Sequence, residues 1–148
     1  MLIRRETAKE KFMDLLLLAD EQESVIETYL DRGELYALYD DGELRAVSVV
    51  TDEGDGVFEL QNIAVRTSSQ RRGYGKKMVE HILGEYSGKG RQMIVGTGDS
   101  PVTVPFYESC GFKFQRRVKN YIAEHYDHPI FENGVRLLDK VFLAKSLE

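Results

Sequence analysis

Residues Gln70 to Lys77 read QRRGYGKK, four cations crowded around Gly73 and Gly75 in a chain of net charge -5. The octet stands between VFELQNIAV (57–65), which reads as a strand, and KKMVEHILGEY (76–86). That second stretch sets Met78, Val79, Ile82, Leu83 and Tyr86 on one helical face. A strand, a glycine-rich turn and a helix N-terminus together make an anion site, because the first amides of a helix lack partners and its dipole favours negative charge. Two familiar phosphate loops do not fit. A Walker loop needs four residues between its glycines, and one separates Gly73 from Gly75; a dinucleotide fingerprint needs a third glycine where Met78 stands.

Charge and composition limit what the anion can be. An overall negative chain repels polyphosphate, so nucleic acid is not expected and the octet reads as a local site for a small phosphorylated molecule. The 148 residues, 42% hydrophobic and 30% charged, suit one globular domain over 1–148. The longest apolar run, Leu15 to Ala19, is far below the roughly 18 residues of a membrane span. No export signal is legible, and Cys110 is the only cysteine, so the expected location is the cytoplasm.

Working outward from the octet, helical spacing over Thr7–Asp20 and again around Val25–Leu30 predicts two short helices, the second stopped by Gly33. ELYALYD and ELRAVSVVT flank Asp41-Gly42 as a hairpin. QMIVGT (92–97) predicts a central strand, and VTVPFYESC (102–110) a helix with Pro105 in its first turn. FKFQRRV (112–118) and VRLLDKVFLA (135–144) predict two late strands separated by an irregular segment, AEHYDHPIFENG. These elements make one α/β sheet domain.

The order Gln70, two residues, Gly73, one residue, Gly75 resembles the acyl-CoA pyrophosphate loop of the GNAT superfamily of N-acetyltransferases. A second motif agrees: VPFYESCGF (104–112) resembles the later helix of that family, in which a tyrosine is followed four residues on by Gly-Phe. The likeness runs from about Leu35 to Phe114, and GTGDSPVTVPFYESCGF followed by HPIFENG is similar to a group of small bacterial acetyltransferases. It implies a mixed central sheet of about six to seven strands flanked by about four helices, splayed at the fourth and fifth strands.

The resemblance also implies roles. Acetyl-CoA would be the cosubstrate, with no metal, and a primary amine, of a small molecule or else of a peptide, would attack it directly in a ternary complex. A module that binds acyl-CoA without catalysis is the competing reading, and homodimerisation is left open. Backbone at Ile63, Ala64 and Val65 would meet the thioester arm, with the Val65 amide on its carbonyl. Gln70, Arg71, Arg72, Gly73, Tyr74, Gly75 and Lys76 would hold the pyrophosphate. Tyr107 would protonate the departing thiolate, and Glu59, or a water, would serve as general base. Ser100 stands where many members place an asparagine that contacts the cofactor arm. Counting by twos along the strand, Glu59 shares a face with Gln61, Ile63 and Val65, and Asp99 is a candidate cap for the helix after it. His125, Asp127 and His128 are too loosely spaced, around Pro129, for a metal site and read as a loop over the acceptor pocket. Cys110, before Gly111, reads as a packed residue.

Overall fold

Seven strands hydrogen-bond in the order β1-β2-β3-β4-β5-β9-β6, in a computed structural model that describes residues 1–148. Strands β1 (Leu2–Glu6), β2 (Glu34–Asp40), β3 (Glu43–Gly54) and β4 (Val57–Val65) form an antiparallel meander. Helix α3 (Tyr74–Tyr86) then crosses over, so that β5 (Gln92–Gly98) runs parallel to β4. β9 (Lys140–Ser146) lies antiparallel between β5 and β6 (Lys113–Val118). A separate ribbon pairs β7 (Ile130–Glu132) with β8 (Val135–Leu137).

Helices cover both faces. On one, α3 and α4 (Thr103–Ser109) bury Met78, Val79, Ile82 and Tyr107 against Leu60, Val95 and Leu143. On the other, α1 (Met13–Leu16), entered through a 3-10 turn at Lys9–Phe12, and α2 (Glu23–Leu30) pack Leu16, Ile26 and Leu30 on Leu35, Val47 and Val49. Helices of four and eight residues do not persist in water unaided. Full burial of side chains such as Leu16 and Ile26 contributes about 1.5–3 kcal/mol each and holds them in place.

Three departures from the expected elements have local causes. β1 carries no apolar alternation because it is an edge strand whose residues are exposed or only half-buried; it makes VFELQNIAV the fourth strand. The supposed final strand is two, broken at Leu138-Asp139, where the Asp139 carboxylate accepts the Asn120 amide (2.9 Å) and Arg117 Nη1 (2.7 Å). The segment read as irregular holds α5 (Tyr121–His125) and the β7–β8 ribbon, which Asn133-Gly134 closes as a two-residue turn of the kind twisted hairpins favour. Five α-helices flank the sheet where about four were expected. No helix is long and apolar enough to cross a membrane.

Candidate active site

β4 and β5 pair only from Val57↔Gln92 to Leu60↔Val95. Beyond Leu60 they separate, and the gap opens into a cleft of about 840 Å³. The cause lies in β4, where Val49 pairs with Asn62 and Val50 with Leu60, leaving Gln61 as an extra, bulged residue. At the strand's end the Arg66 amide donates to the Arg45 carbonyl (2.8 Å). Antiparallel alternation then turns the Val65 backbone away from β3 and into the gap. The Val65 carbonyl accepts Gln70 Nε2 (3.2 Å), which leaves its N–H directed at the cleft.

The turn from β4 into α3 supplies more donors. Amides of Arg71 through Lys76 find no acceptor in the protein, and the first bond of the new helix is Lys77 N–H to the Gly73 carbonyl (3.1 Å). Gly73 has φ 83°, a left-handed value that turns the chain into α3 and suits glycine best. Gly75 lies against α4, where a Cβ would meet Phe106 and Val65 in ordinary contact at the mouth of the splay. Gln70, Arg71, Gly73, Tyr74, Gly75 and Lys76 line the cleft, as do Ile63, Ala64 and Val65. Arg72 does not; it is exposed and lies over the Tyr74 ring, whose hydroxyl donates to Asp40 (2.7 Å).

Across the gap, α4 presents Tyr107, 6% exposed and packed edge-on to Phe106 and Phe112. Its hydroxyl has no partner within the protein yet is not sealed from solvent. Burial pushes its pKa up and keeps the phenol protonated at neutral pH. Ser100 takes the capping part expected of Asp99. Ser100 is buried outside the cleft, and its Oγ accepts the amides of Val102 (3.0 Å) and Thr103 (3.1 Å), capping α4. Asp99 instead accepts the Leu138 amide and faces Arg117.

At its other end the cleft meets the α1–α2 side. Asn62, 4% exposed, donates through Nδ2 to the Leu16 carbonyl (3.2 Å) and to Tyr29 Oη (3.0 Å). This pins the chain just before Asp20, whose carboxylate accepts Tyr126 Oη (2.7 Å) and Tyr29 Oη (3.1 Å). Burial raises the Asp20 pKa in spite of both bonds. Tyr121, Tyr126, Ile130, Phe131 and Lys140 complete this end. Glu59 is absent from the cleft wall. It is 9% exposed, opposite Thr51, with its pKa raised by burial. The bulge at Gln61 breaks the count by twos: Ile63 and Val65 pack on the α3–α4 core, whereas Glu59 and its partner Thr51 point to the opposite face, where Thr51 lies beside Gly33. His125 stacks on Tyr121 and His128 pairs with Asp127. Cys110 is half-buried, its thiol pKa raised.

A family model for the acetyltransferase (GNAT) domain matches residues 31–114. Along 96% of its length the chain is 36% identical to an uncharacterized N-acetyltransferase, YvbK, of Bacillus subtilis (strain 168), covering 93% of that protein. The chain belongs to the GNAT N-acetyltransferases. Its structure matches a Bacillus subtilis acetyltransferase in complex with CoA at a TM-score of 0.89 and 34% identity, over 97% of each chain. A GNAT family acetyltransferase from Elizabethkingia anophelis with acetyl-CoA bound matches at a TM-score of 0.91 and 30% identity, over 98% of this chain and 97% of that one.

For this GNAT enzyme, sequence reading located the loop, the end of the fourth strand and Tyr107, which the fold gathers about one gap. It missed Asp20, Tyr29, Tyr126 and Lys140. Asp20 and Tyr126 are 106 residues apart, and no periodicity links them. The one available signal was a glycine pair, Gly96 and Gly98, in a strand otherwise rich in apolar residues: bare positions mark a close approach by something else.

Proposed function

We propose that the enzyme transfers the acetyl group of acetyl-CoA to a primary amine of a small molecule, by direct attack within a ternary complex. The observation that carries this reading is the run of unpaired amides from Arg71 to Lys76, continuous through the cleft with the Val65 N–H and Tyr107. These donors fit a diphosphate, with the dipole of α3 behind them and Arg71 and Lys76 beside them. The two CoA-bound relatives support the same cosubstrate.

With the diphosphate held there, the thioester lies along the freed edge of β4. The Val65 amide meets the carbonyl oxygen where negative charge develops, and a preorganised donor of this kind lowers the barrier most. The amine nitrogen forms its bond to the carbonyl carbon as the carbon–sulfur bond breaks. Tyr107, held as a neutral phenol by burial, donates to the departing sulfur. A carboxylate on the α1–α2 side removes the proton of the ammonium; Glu59, set back from the cleft, reaches it only through an intervening water. A small acceptor is favoured because α5 and the β7–β8 ribbon wall the cleft's far end.

Calorimetry with CoA, followed by thiol release from acetyl-CoA across a panel of small amines and short peptides, tests the proposal. Binding with turnover of small amines is the expected result. Absence of heat with CoA ends it, binding without turnover on any acceptor makes the chain a non-catalytic module, and turnover confined to peptides reassigns the acceptor.

A further inference from the structure

Lys140 is the cation of the cleft that the proposed chemistry leaves unused. It begins β9 opposite Gly98, and its stem runs across β5 where Gly96 has no side chain; a Cβ at position 96 would collide with Lys140 Cε. The ammonium lies 4.6 Å from the Tyr121 ring centre and 4.9 Å from that of Phe142. It makes no hydrogen bond, and no carboxylate comes within ion-pairing distance. Arg71 and Lys76, the other cations of the cleft, are exposed and solvated, whereas Lys140 is half-buried. A bare glycine and two aromatic rings thus aim a cation into a cavity without giving it an anion.

The same end of the cleft carries the complementary group. Asp20 is half-buried between Tyr29 and Tyr126, both of which donate to it, and it has no cationic partner within ion-pairing distance. Burial acts on the two groups in opposite directions, pulling the Lys140 pKa down and pushing that of Asp20 up, so the charged form of each is under-compensated. Glu59 and Asp20 lie within electrostatic range of Lys140, as does Glu53 more weakly, and Arg116 opposes them; of these four only Asp20 lines the cleft, and it stands beyond ion-pairing distance of Lys140. A ligand bearing both charges would relieve both groups at once.

We propose that the acceptor is a small zwitterion of the amino-acid type, its carboxylate held by Lys140 and its amine by Asp20, an assignment that rests on the acetyl-transfer reading above. Asp20 and Lys140 then fix which end of the acceptor points at the splay. One Asp20 oxygen is placed to take a proton from the ammonium first, which frees the nitrogen lone pair for attack; the second proton that nitrogen loses as the amide forms balances the one Tyr107 gives to the departing sulfur.

The test compares matched acceptors, a set of small amino acids and the carboxamides of the same amino acids, by thiol release from acetyl-CoA. Wild type is expected to favour the carboxylate member by about tenfold in kcat/KM, the scale of one charge-assisted contact. Lys140→Met should abolish the preference, Lys140→Arg should restore part of it, and the Kd for CoA measured by calorimetry should be the same in all three. Equal use of both members by wild type, or a preference that survives Lys140→Met, overturns the assignment and leaves Lys140 as a counter-charge for the buried carboxylates. If no member is turned over, calorimetric binding of each pair to the CoA complex reads the same difference, and binding indifferent to carboxylate and to Lys140 overturns it equally. Loss of CoA binding in wild type would instead strike the acetyl-transfer reading itself.

Discussion

The two ends of the cleft are built from different material. At the loop end the groups facing the cavity are main-chain amides, from Val65 and from Arg71 to Lys76, held by a strand end and a helix start. At the α1–α2 end they are side chains, Asp20, Tyr29, Asn62, Tyr126 and Lys140, drawn from five separate elements and turns. Backbone donors depend on conformation and hardly on side-chain identity, which suits the end proposed to hold the cosubstrate. Side chains can be exchanged one at a time, which suits the part of an enzyme where its acceptor is chosen.

That contrast can be broken by mutation, and the largest effect is expected between the two ends. Tyr107→Phe should lower kcat by about 10²–10⁴-fold while the CoA Kd measured by calorimetry stays within twofold, since only the proton donor is lost. Gly73→Val should weaken CoA binding by about five- to thirtyfold, the worth of forcing a β-branched residue into a left-handed conformation at about 1–2 kcal/mol, with little change in acceptor KM. Asp20→Asn should do the reverse, leaving the CoA Kd unchanged while raising acceptor KM by about fivefold, on the scale of ~1 kcal/mol for a half-buried ion pair, and lowering kcat by about 10²-fold because the group that takes the ammonium proton is lost.

Asp20→Asn has a second, opposite signature in stability. Because the folded-state pKa of Asp20 is raised, the fold binds that proton better than the unfolded chain does. The group's stabilising contribution is full below the ordinary aspartate range and is lost as pH rises through the raised value. The variant should therefore unfold at a higher temperature than wild type at neutral pH, with the gap closing in acid; thermal scans at several pH values check this. The smallest effect belongs to Arg72→Ala. Its amide remains and its side chain lies outside the cleft, so CoA affinity should change by no more than about twofold, in proportion to a screened surface charge.

Legibility in the sequence divides along the same line. The octet and VPFYESCGF are contiguous, so the chemistry they encode is local: a turn, a helix start and one tyrosine at helical spacing. The α3 face and the Asp41-Gly42 hairpin are legible for the same reason. Asn133-Gly134 carried an equally good hairpin cue, but the strands it joins are three residues long and half-exposed, too short for alternation to register. The placement of Glu59 failed on a single residue. Period-two counting assumes an unbroken ladder, and the extra residue at Gln61 reverses every face after it.

The sequence alone determined the elements from β2 to β6, the glycine turn with its free amides and the tyrosine on the helix after β5, because hydrogen-bond geometry over a few neighbouring residues dictates each. Tertiary structure alone decided which carboxylate and which lysine reach the α1–α2 end of the cleft. Asp20, Tyr126 and Lys140 meet there only because a bulge splays two strands and a bare glycine lets a side chain cross the sheet, and such meetings depend on packing between segments far apart in the chain.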